Sequence, residues 1–367
     1  MLYITYNDLN RADLMGIKKK VITQILAFKK IFKRTYYTFY AGQMMYLMDE
    51  EKLIEKQIAV TKKECNWVLC KWIEKYDIER IYIRYNLSNA YFLKFLKYLK
   101  EKQIKTVLEI PTYPYDGELG NNFNKMEDVF YRKQLREYVD LIATYTNDHE
   151  IWDIRCVNLR NGIDIKNIPV STRKREENTI YLIAVSSMAP WHGYERILEG
   201  LYHYYQEKNR TYKIFLRFIG EGGEEHYYKS LTEKYNLQPY VIFCGKMLGK
   251  DLDEQFELSD IAVGSLGMYK TGIYEGNPIK GAEYCARGIP FIYGYDDTRF
   301  SPEQEFTMRV LNDRQAINIK DVIAFYERIV SKQGYQKIMR DYAAKCLTWE
   351  NIMEPVINYF ADETAVR

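Results

Sequence analysis

The stretch EGNPIKGAEYCARGIPF, residues 275–291, reads as a short helix feeding a strand. Ile279, Ala282, Cys285 and Ala286 recur at near-helical spacing before the apolar run that starts at Ile289. Upstream, Asp260-Ile-Ala-Val-Gly264 reads as a strand entering a glycine-bearing loop, Ser265 to Gly276. Strand, loop, helix and strand in that order form the repeating unit of a parallel sheet covered by helices. Asn277 reads as the N-cap and Pro278 as the first helical residue, which places Lys280 in the first turn. A cation there is disfavoured by the helix dipole by about 0.3–1 kcal/mol. The free N–H groups of that turn and Lys280 would together hold an anion well, so a phosphate-bearing ligand resolves the conflict. Glu283 shares the helix face of Lys280 and Glu275 stands on the loop before the cap. Carboxylates accept hydrogen bonds from vicinal diols, which sugars and ribose both offer. Without its neighbours, a Glu, Lys, Glu set on an amphipathic helix is more often a solvated face.

Working outward, the chain has 367 residues, 47% hydrophobic and 28% charged, enough for two ordinary domains with full cores. Its net charge of +3 is far from the concentrated excess of a nucleic-acid binder, so no nucleic-acid partner is expected. The 6 cysteines are scattered without CxxC pairs, and no cluster of metal-ligating residues stands out, so neither a metal nor another cofactor is expected. The N-terminus, MLYITYNDLNRADLMG, is acidic where a signal peptide is basic, and no run of 18 apolar residues occurs. The expected location is cytoplasmic.

Strand-like runs alternate with helix-length amphipathic segments almost from end to end, the α/β pattern. In the first half, strands are expected near 2–6, 80–84, 105–110, 141–144 and 157–159, and helices near 16–34, 61–76, 88–102, 124–138 and 147–153. Residues 35–60 give no clear pattern. The polar stretch Ser171-Thr-Arg-Lys-Arg-Glu-Glu-Asn178 marks a boundary before a fresh strand at 179–185. The second half repeats the plan, with strands near 213–219, 240–244, 260–264 and 290–293 and helices near 193–206, 224–236, 251–259, 278–288 and 321–331. Two doubly wound, Rossmann-like domains, 1–170 and 171–347, facing a central cleft are the expected architecture.

The ordered set of motifs resembles the retaining family 4 glycosyltransferases of the GT-B fold. The spacing of Glu275 and Glu283, continued as Glu283-Tyr-Cys-Ala-Arg-Gly-Ile-Pro-Phe291, is similar to that family's E-x7-E signature. In order along the chain stand a Gly16 turn after strand one, Asn161-Gly162-Ile163-Asp164, Pro190-Trp191-His192-Gly193 and Phe218-Ile219-Gly220-Glu221-Gly222. The closing segment 348–367, with Thr348-Trp349-Glu350, resembles the helix that crosses back to the N-terminal domain. Glu109-Ile-Pro-Thr-Tyr-Pro-Tyr-Asp116 resembles a bacterial branch that builds capsular and exported polysaccharides. The resemblance implies transfer of a sugar from a nucleotide-diphosphate sugar to a glycan or lipid-linked glycan, with retention of configuration. It implies Glu275 on the donor-sugar hydroxyls, Glu283 on the ribose diol, and Gly16, Gly220, Gly222, Gly276, Asn277, Ser187 and Arg196 around the donor. Glu109, Tyr113 and Asp116 become candidates for the acceptor.

One departure matters. The family usually places an Arg and a Lys beside the diphosphate, in a pattern like G-R-L-x-P-x-K-G, and here Ser187 and His192 stand at those positions. Lys280 is the expected substitute, helped by the helix N-terminus and by His192 if it is protonated in the complex. The same loss keeps open a non-catalytic subunit or scaffold of this fold, and a sugar-nucleotide epimerase or hydrolase is a further alternative. Finally, Leu14 to Met48 carries seven basic residues (Lys18, Lys19, Lys20, Lys29, Lys30, Lys33, Arg34) and no acidic one. Leu14, Ile17, Val21, Ile25, Phe28 and Phe32 form an apolar stripe opposite most of the lysines. The bland reading is a solvated outer face; the sharper one is peripheral contact of residues 18–34 with an anionic membrane, worth about 1 kcal/mol per basic residue.

Overall fold

The computed structural model describes residues 1–116, 119 and 123–362. The chain forms two compact units, Met1–Asn161 with Trp349–Arg367, and Gly162–Thr348.

The first unit runs β1 (Leu2–Ile4), α1 (Met15–Ile31), β2 (Tyr36–Ala41), β3 (Met44–Asp49), β4 (Lys52–Ile58), α2 (Lys62–Lys75), β5 (Arg80–Arg84), α3 (Ala90–Glu101), β6 (Lys105–Ile110), α4 (Phe123–Arg132), β7 (Leu141–Thr144), β8 (Glu150–Ile151) and β9 (Ile154–Asn158). They build one sheet in the order β4-β3-β2-β1-β5-β6-β7-β9-β8, parallel from β2 to β9. Side chains alternate across it. Leu2, Ile4, Ile81 and Ile83 enter one core, and Tyr3, Tyr82, Val107 and Leu141 the other. The helix starts are written in the sequence: Thr61 and Glu64 form a reciprocal capping box on α2, and Asn89 caps α3 by accepting from the N–H groups of Tyr91 and Phe92.

One unread segment is resolved here, and one local expectation fails. Residues 35–60, which gave no pattern, are the antiparallel extension β2 to β4, turned at Gly42 and Gln43, both in the left-handed region. The helix expected at 147–153 is instead the hairpin of β8 and β9, with Trp152 and Asp153 at φ 53° and 61°. A type I′ two-residue turn needs positive φ at both centres, and Trp-Asp lacks the Asn-Gly signature that announces it.

The second unit contains β10 (Thr179–Val185), α5 (Glu195–Gln206), β11 (Lys213–Ile219), α6 (Glu225–Lys234), β12 (Val241–Phe243), α7 (Gly249–Glu257), β13 (Ile261–Val263), α8 (Ile279–Arg287), β14 (Phe291–Tyr293), β15 (Thr307–Arg309), α9 (Ile319–Val330) and α10 (Tyr335–Cys346). Its sheet is parallel throughout, in the order β12-β11-β10-β13-β14-β15. The unit begins at Gly162, nine residues before the boundary expected from the polar stretch. Arg340 explains the difference, because its guanidinium donates to the carbonyls of Ile165, Ile168 and Ala286 and ties residues 165–168 to this unit.

Past Thr348 the chain forms α11 (Trp349–Ile352) and α12 (Glu354–Ala361), whose Trp349, Met353, Val356 and Phe360 share a core with Phe28 and Tyr82 of the first unit. The last five residues of the segment expected as helix lie outside the described residues. The basic segment is corrected as well. Lys20 turns inward to Glu109, Lys29 pairs with Asp49 and Glu50, and Lys30 pairs with Glu350. Acids from distant segments thus neutralise part of a face that the local sequence shows as purely basic.

The loops after β10 and β11 are pressed together by glycines. A Cβ on Gly220 (φ 117°) would stand 1.9 Å from the carbonyl oxygen of Ser186, and one on Gly222 would stand 1.7 Å from that of Ser187. Gly223, the next residue, faces open space. Gly222→Ala should therefore lower stability by about 1–3 kcal/mol through a forced loop shift, while Gly223→Ala should leave it within a few tenths. Paired thermal melts of the two variants check this.

Candidate functional site

In the second unit the chain leaves β10 toward β11 and β12, then returns to place β13 on the other side of β10. Ligands of open parallel sheets settle beyond the carboxyl ends of the strands at such a reversal. The loops after β10 and β13 meet there. Leu266 N–H donates to the His192 carbonyl at 2.8 Å and Gly267 N–H to that of Trp191 at 3.2 Å. Gly193, at φ 61°, lies so close that a Cβ would stand 2.4 Å from the Gly267 nitrogen. Arg196 is buried behind this junction and donates to the carbonyls of Leu266 (2.5 Å) and Gln315 (2.6 Å) and to Asp313 (3.1 Å). Expected beside the donor, it instead fixes the backbone of the loop. Ser187 is exposed, with its carbonyl over Gly222.

Helix α8 starts one residue later than its sequence suggests. Pro278 is the N-cap, at φ −57° and ψ 141°, Ile279 is the first helical residue, and Asn277 lies just outside. Lys280 is then the second residue of the helix. Its Nζ is buried and finds no hydrogen-bond partner among the described residues. Burial pushes the ammonium down to about 7, with Glu283 opposing only in part. His192 is buried, and its Nδ1 accepts from the Ala189 N–H at 2.9 Å. Burial first and the Lys280 charge second push the ring down to about 3. Without a ligand His192 is therefore neutral, and with Nδ1 accepting, its proton sits on Nε2.

Glu283 is half-buried on α8, and its field reaches Lys280. Glu275 is exposed on a strand-like segment, where the Gly276 N–H donates to the Asp296 carbonyl at 2.8 Å and the Asp296 N–H to that of Tyr274 at 2.7 Å. The structure therefore gathers Lys280, Glu283 and His192, with Gly220 and Gly222 shaping the adjoining loops. Gly16 belongs to the other unit, in the first turn of α1 with open space around it. Sequence reasoning missed Arg299, which is buried with Asp297 at 2.6 Å and donates to the Pro278 carbonyl at 2.7 Å, so it holds the start of α8. The signal available was the pair of opposite charges in Asp297-Thr-Arg299 beside Tyr295 and Phe300.

The acceptor candidates lie in the first unit and are engaged internally. Glu109 is fully buried and accepts from Arg84 (2.7 Å), Tyr145 (2.9 Å) and Tyr3 (3.1 Å), with Lys20 at 3.7 Å. Burial opposes its ionisation, but Arg84 and Lys20 with the two phenols outweigh burial and hold the carboxyl below its usual range. As placed, Glu109 offers a ligand no surface. Asp116 pairs with both terminal nitrogens of Arg132, and Tyr113 packs edge-on against Trp152. Among the described residues, no group of three or more His, Cys, Asp or Glu is arranged to hold a metal, and no helix is long and apolar enough to cross a membrane.

Residues 165–299, which contain this site, match the family described as Glycosyl transferases group 1. No curated protein sequence matches the chain. Among solved structures, a glycosyltransferase from Rickettsia africae ESF-5 aligns at TM-score 0.61 and 13% identity, over 99% of this chain and 98% of that one. The lipopolysaccharide outer core galactosyltransferase WaaB in its apo form aligns at 0.61 and 13%, over 98% and 99%. Anabaena HepE, solved with UDP-glucose, aligns at 0.52 and 10%, over 98% of each chain. The architecture is that of GT-B glycosyltransferases, two parallel-sheet Rossmann-like domains. The domain match and the fold together support a GT-B glycosyltransferase.

An unpartnered buried cation weakens the fold that holds it. Lys280→Met should raise the unfolding free energy by about 1–3 kcal/mol, the cost of an unsatisfied buried polar group. The sign of the pH dependence follows from Lys280 being lowered to about 7 in the folded state. Below that pH the charge is buried at full cost, and above it the folded state sheds the proton first, so the cost declines. The stability gap between variant and wild type should therefore be widest at acid pH and narrow toward the ordinary lysine range. Denaturant melts across a pH series test it.

Proposed function

We propose that the protein transfers a sugar from a nucleotide-diphosphate sugar to a glycan or lipid-linked glycan with retention of configuration, in the building of a surface polysaccharide. The observation that carries the reading is the buried Lys280 ammonium without a partner, in the first turn of α8 at the sheet's reversal. Burying a cation unpaired is costly unless the missing partner is a ligand, and a diphosphate at a helix N-terminus supplies it. In this reading Lys280 neutralises the charge that builds on the leaving diphosphate, so no metal is needed there. The neutral His192 contributes its Nε2–H as a donor in place of the cation that the family usually carries.

Glu283, on the face of Lys280, takes the ribose diol, and Glu275, on the exposed loop edge, takes donor-sugar hydroxyls. Asn277, Gly276, Gly220 and Gly222 shape the loops through which the donor approaches. The UDP-glucose bound in the structural neighbour HepE makes uridine nucleotides the first donors to try. Retention and the polysaccharide role rest on the motif resemblance. Peripheral contact with an anionic membrane on the cytoplasmic side now rests on Lys18, Lys19, Lys33 and Arg34, which at about 1 kcal/mol each is a weak attachment.

The division of roles is testable by calorimetry with UDP and UDP-glucose. Glu283→Ala should weaken both ligands, whereas Glu275→Ala should spare UDP and weaken only the preference for the sugar nucleotide. Equal loss of UDP in both variants would overturn the assignment. Lys280→Ala should cost turnover on the order of 2–4 kcal/mol in activation free energy, and an unchanged rate constant would remove Lys280 from the reaction.

A further inference from the structure

The first unit leaves apolar side chains open on three neighbouring elements. In α4, Phe123, Met126 and Phe130 are 75%, 73% and 65% exposed. At about 100° of turn per residue they fall within about 60° of one another, one open stripe along the helix. Trp67 on α2 is 61% exposed, and Val60 before that helix and Tyr91 at the start of α3 are exposed as well. Val60, Asn66, Tyr91 and Asn124 line one cavity of about 510 Å³, so the three elements ring a single mouth. Trp67, Phe123, Met126 and Phe130 are outside its walls and stand on the rim. The Asn66 amide donates to the Tyr91 carbonyl at 2.6 Å and fixes α2 to α3 there. One exposed apolar residue needs no explanation, but a set gathered on one rim marks a contact surface.

The polar residues on α2 and α3 beside them are cationic. Lys62, Lys63, Lys71 and Lys94 are exposed, and over residues 60–73 and 88–97 Glu64 is the one exposed acid. Its carboxylate is held by the N–H groups of Val60 and Thr61. The Lys71 ammonium lies 5.4 Å from the Trp67 ring centre and that of Lys94 lies 5.9 Å from the Tyr91 ring centre. A ring with an apolar body and a polar tip, beside an amine on a long apolar stem, suits the layer between water and hydrocarbon. Lys62 and Lys63 stand in the first turn of α2, where the helix dipole disfavours cations. Their own N–H groups meet no acceptor among the described residues. A phosphate from outside the chain would answer both the charges and the donors.

A second copy would bring the same lysines face to face, which like charge opposes. The rim side chains stand singly on three elements and wall no groove for a peptide, whereas a fluid surface moulds to them. From the open apolar rim and the lysines set among it, we infer that this face docks on an anionic lipid bilayer, its aromatic and Met side chains in the interfacial layer and its lysines among the phosphates. This is a different surface from α1. Helix α1 packs with Tyr3 and Tyr82 on one face of the sheet, and α2 and α3 pack with Leu2 and Ile4 on the other, so a flat bilayer lying against one face leaves the other in water. The docking stands without the glycosyl-transfer reading.

Co-sedimentation of the full chain with vesicles tests it, using phosphatidylcholine alone and phosphatidylcholine mixed with phosphatidylglycerol, with no nucleotide or sugar present. The mixed vesicles should bind the protein at least about tenfold more tightly than the neutral ones. Salt at about 0.5 M should weaken this binding without abolishing it, because screening removes the lysine attraction and leaves the apolar insertion. Trp67→Ser combined with Phe123→Ser and Met126→Ser should lower binding to the mixed vesicles about tenfold or more. Lys19→Glu combined with Lys33→Glu and Arg34→Glu, on the α1 side, should leave it within about twofold. All six side chains are exposed, so both variants should melt with the wild type. No binding to the mixed vesicles, equal binding to both kinds, binding unmoved by the apolar variant, or binding lost in the α1-side variant would each overturn the inference. So would self-association in sedimentation velocity, without vesicles, that disappears in the apolar variant.

Discussion

A lysine ammonium buried without a hydrogen-bond partner is the constraint around which the second unit is arranged. The backbone around it is held from several sides. Arg299 grips the Pro278 carbonyl from within a buried ion pair, and Arg196 grips the loop after β13 through Leu266. The Gly193 and Gly267 backbones touch where no side chain fits. These fixtures satisfy their own polar groups and leave Lys280 with only the field of Glu283. An unsatisfied charge in so well-supported a place is a cost to folding that a bound anion would recover.

The two units divide their electrostatics differently. In the first, buried Glu109 meets Arg84, Lys20 and two phenols, so the carboxylate is fully engaged and the cluster closes the core between β1, β5 and β6. Lys20, over the Tyr145 ring at 3.5 Å, is pushed down to about 8 mainly by burial, with Glu109 pulling the other way. In the second, Lys280 has no such carboxylate in hydrogen-bond contact. The contrast is between a carboxylate held by a full set of partners and an ammonium that meets none.

Much of this was legible in the sequence because it is local. The alternation of strands and helices, the caps at Thr61 and Asn89, and the strand-loop-helix unit around Glu275, Lys280 and Glu283 all depend on neighbours in the chain. What was not legible depends on partners far away. Lys29 and Lys30 look uncompensated until Asp49, Glu50 and Glu350 fold onto them. Glu109 looks like a carboxylate available to an acceptor until Tyr3 and Arg84 surround it. His192 looks like a replacement cation until burial and Lys280 deny it a proton. The hairpin at Trp152 and Asp153 hides because neither residue advertises a left-handed turn. The unit 1 cavity, built from side chains of five separate segments, leaves no motif at all.

If Lys280 receives a diphosphate, as proposed, proton linkage reads it out. With Lys280 lowered to about 7 in the empty site, the lysine is mostly neutral one unit above that pH. A bound diphosphate favours its charged form, so binding must then draw a proton from solution. Calorimetric titration of UDP at about pH 8, in two buffers of different ionisation enthalpy, reads the proton count. Uptake approaching one proton per UDP is expected in the wild type, and UDP binding without uptake in Lys280→Arg, whose guanidinium never releases its proton. UDP binding by the wild type with no buffer dependence would contradict it.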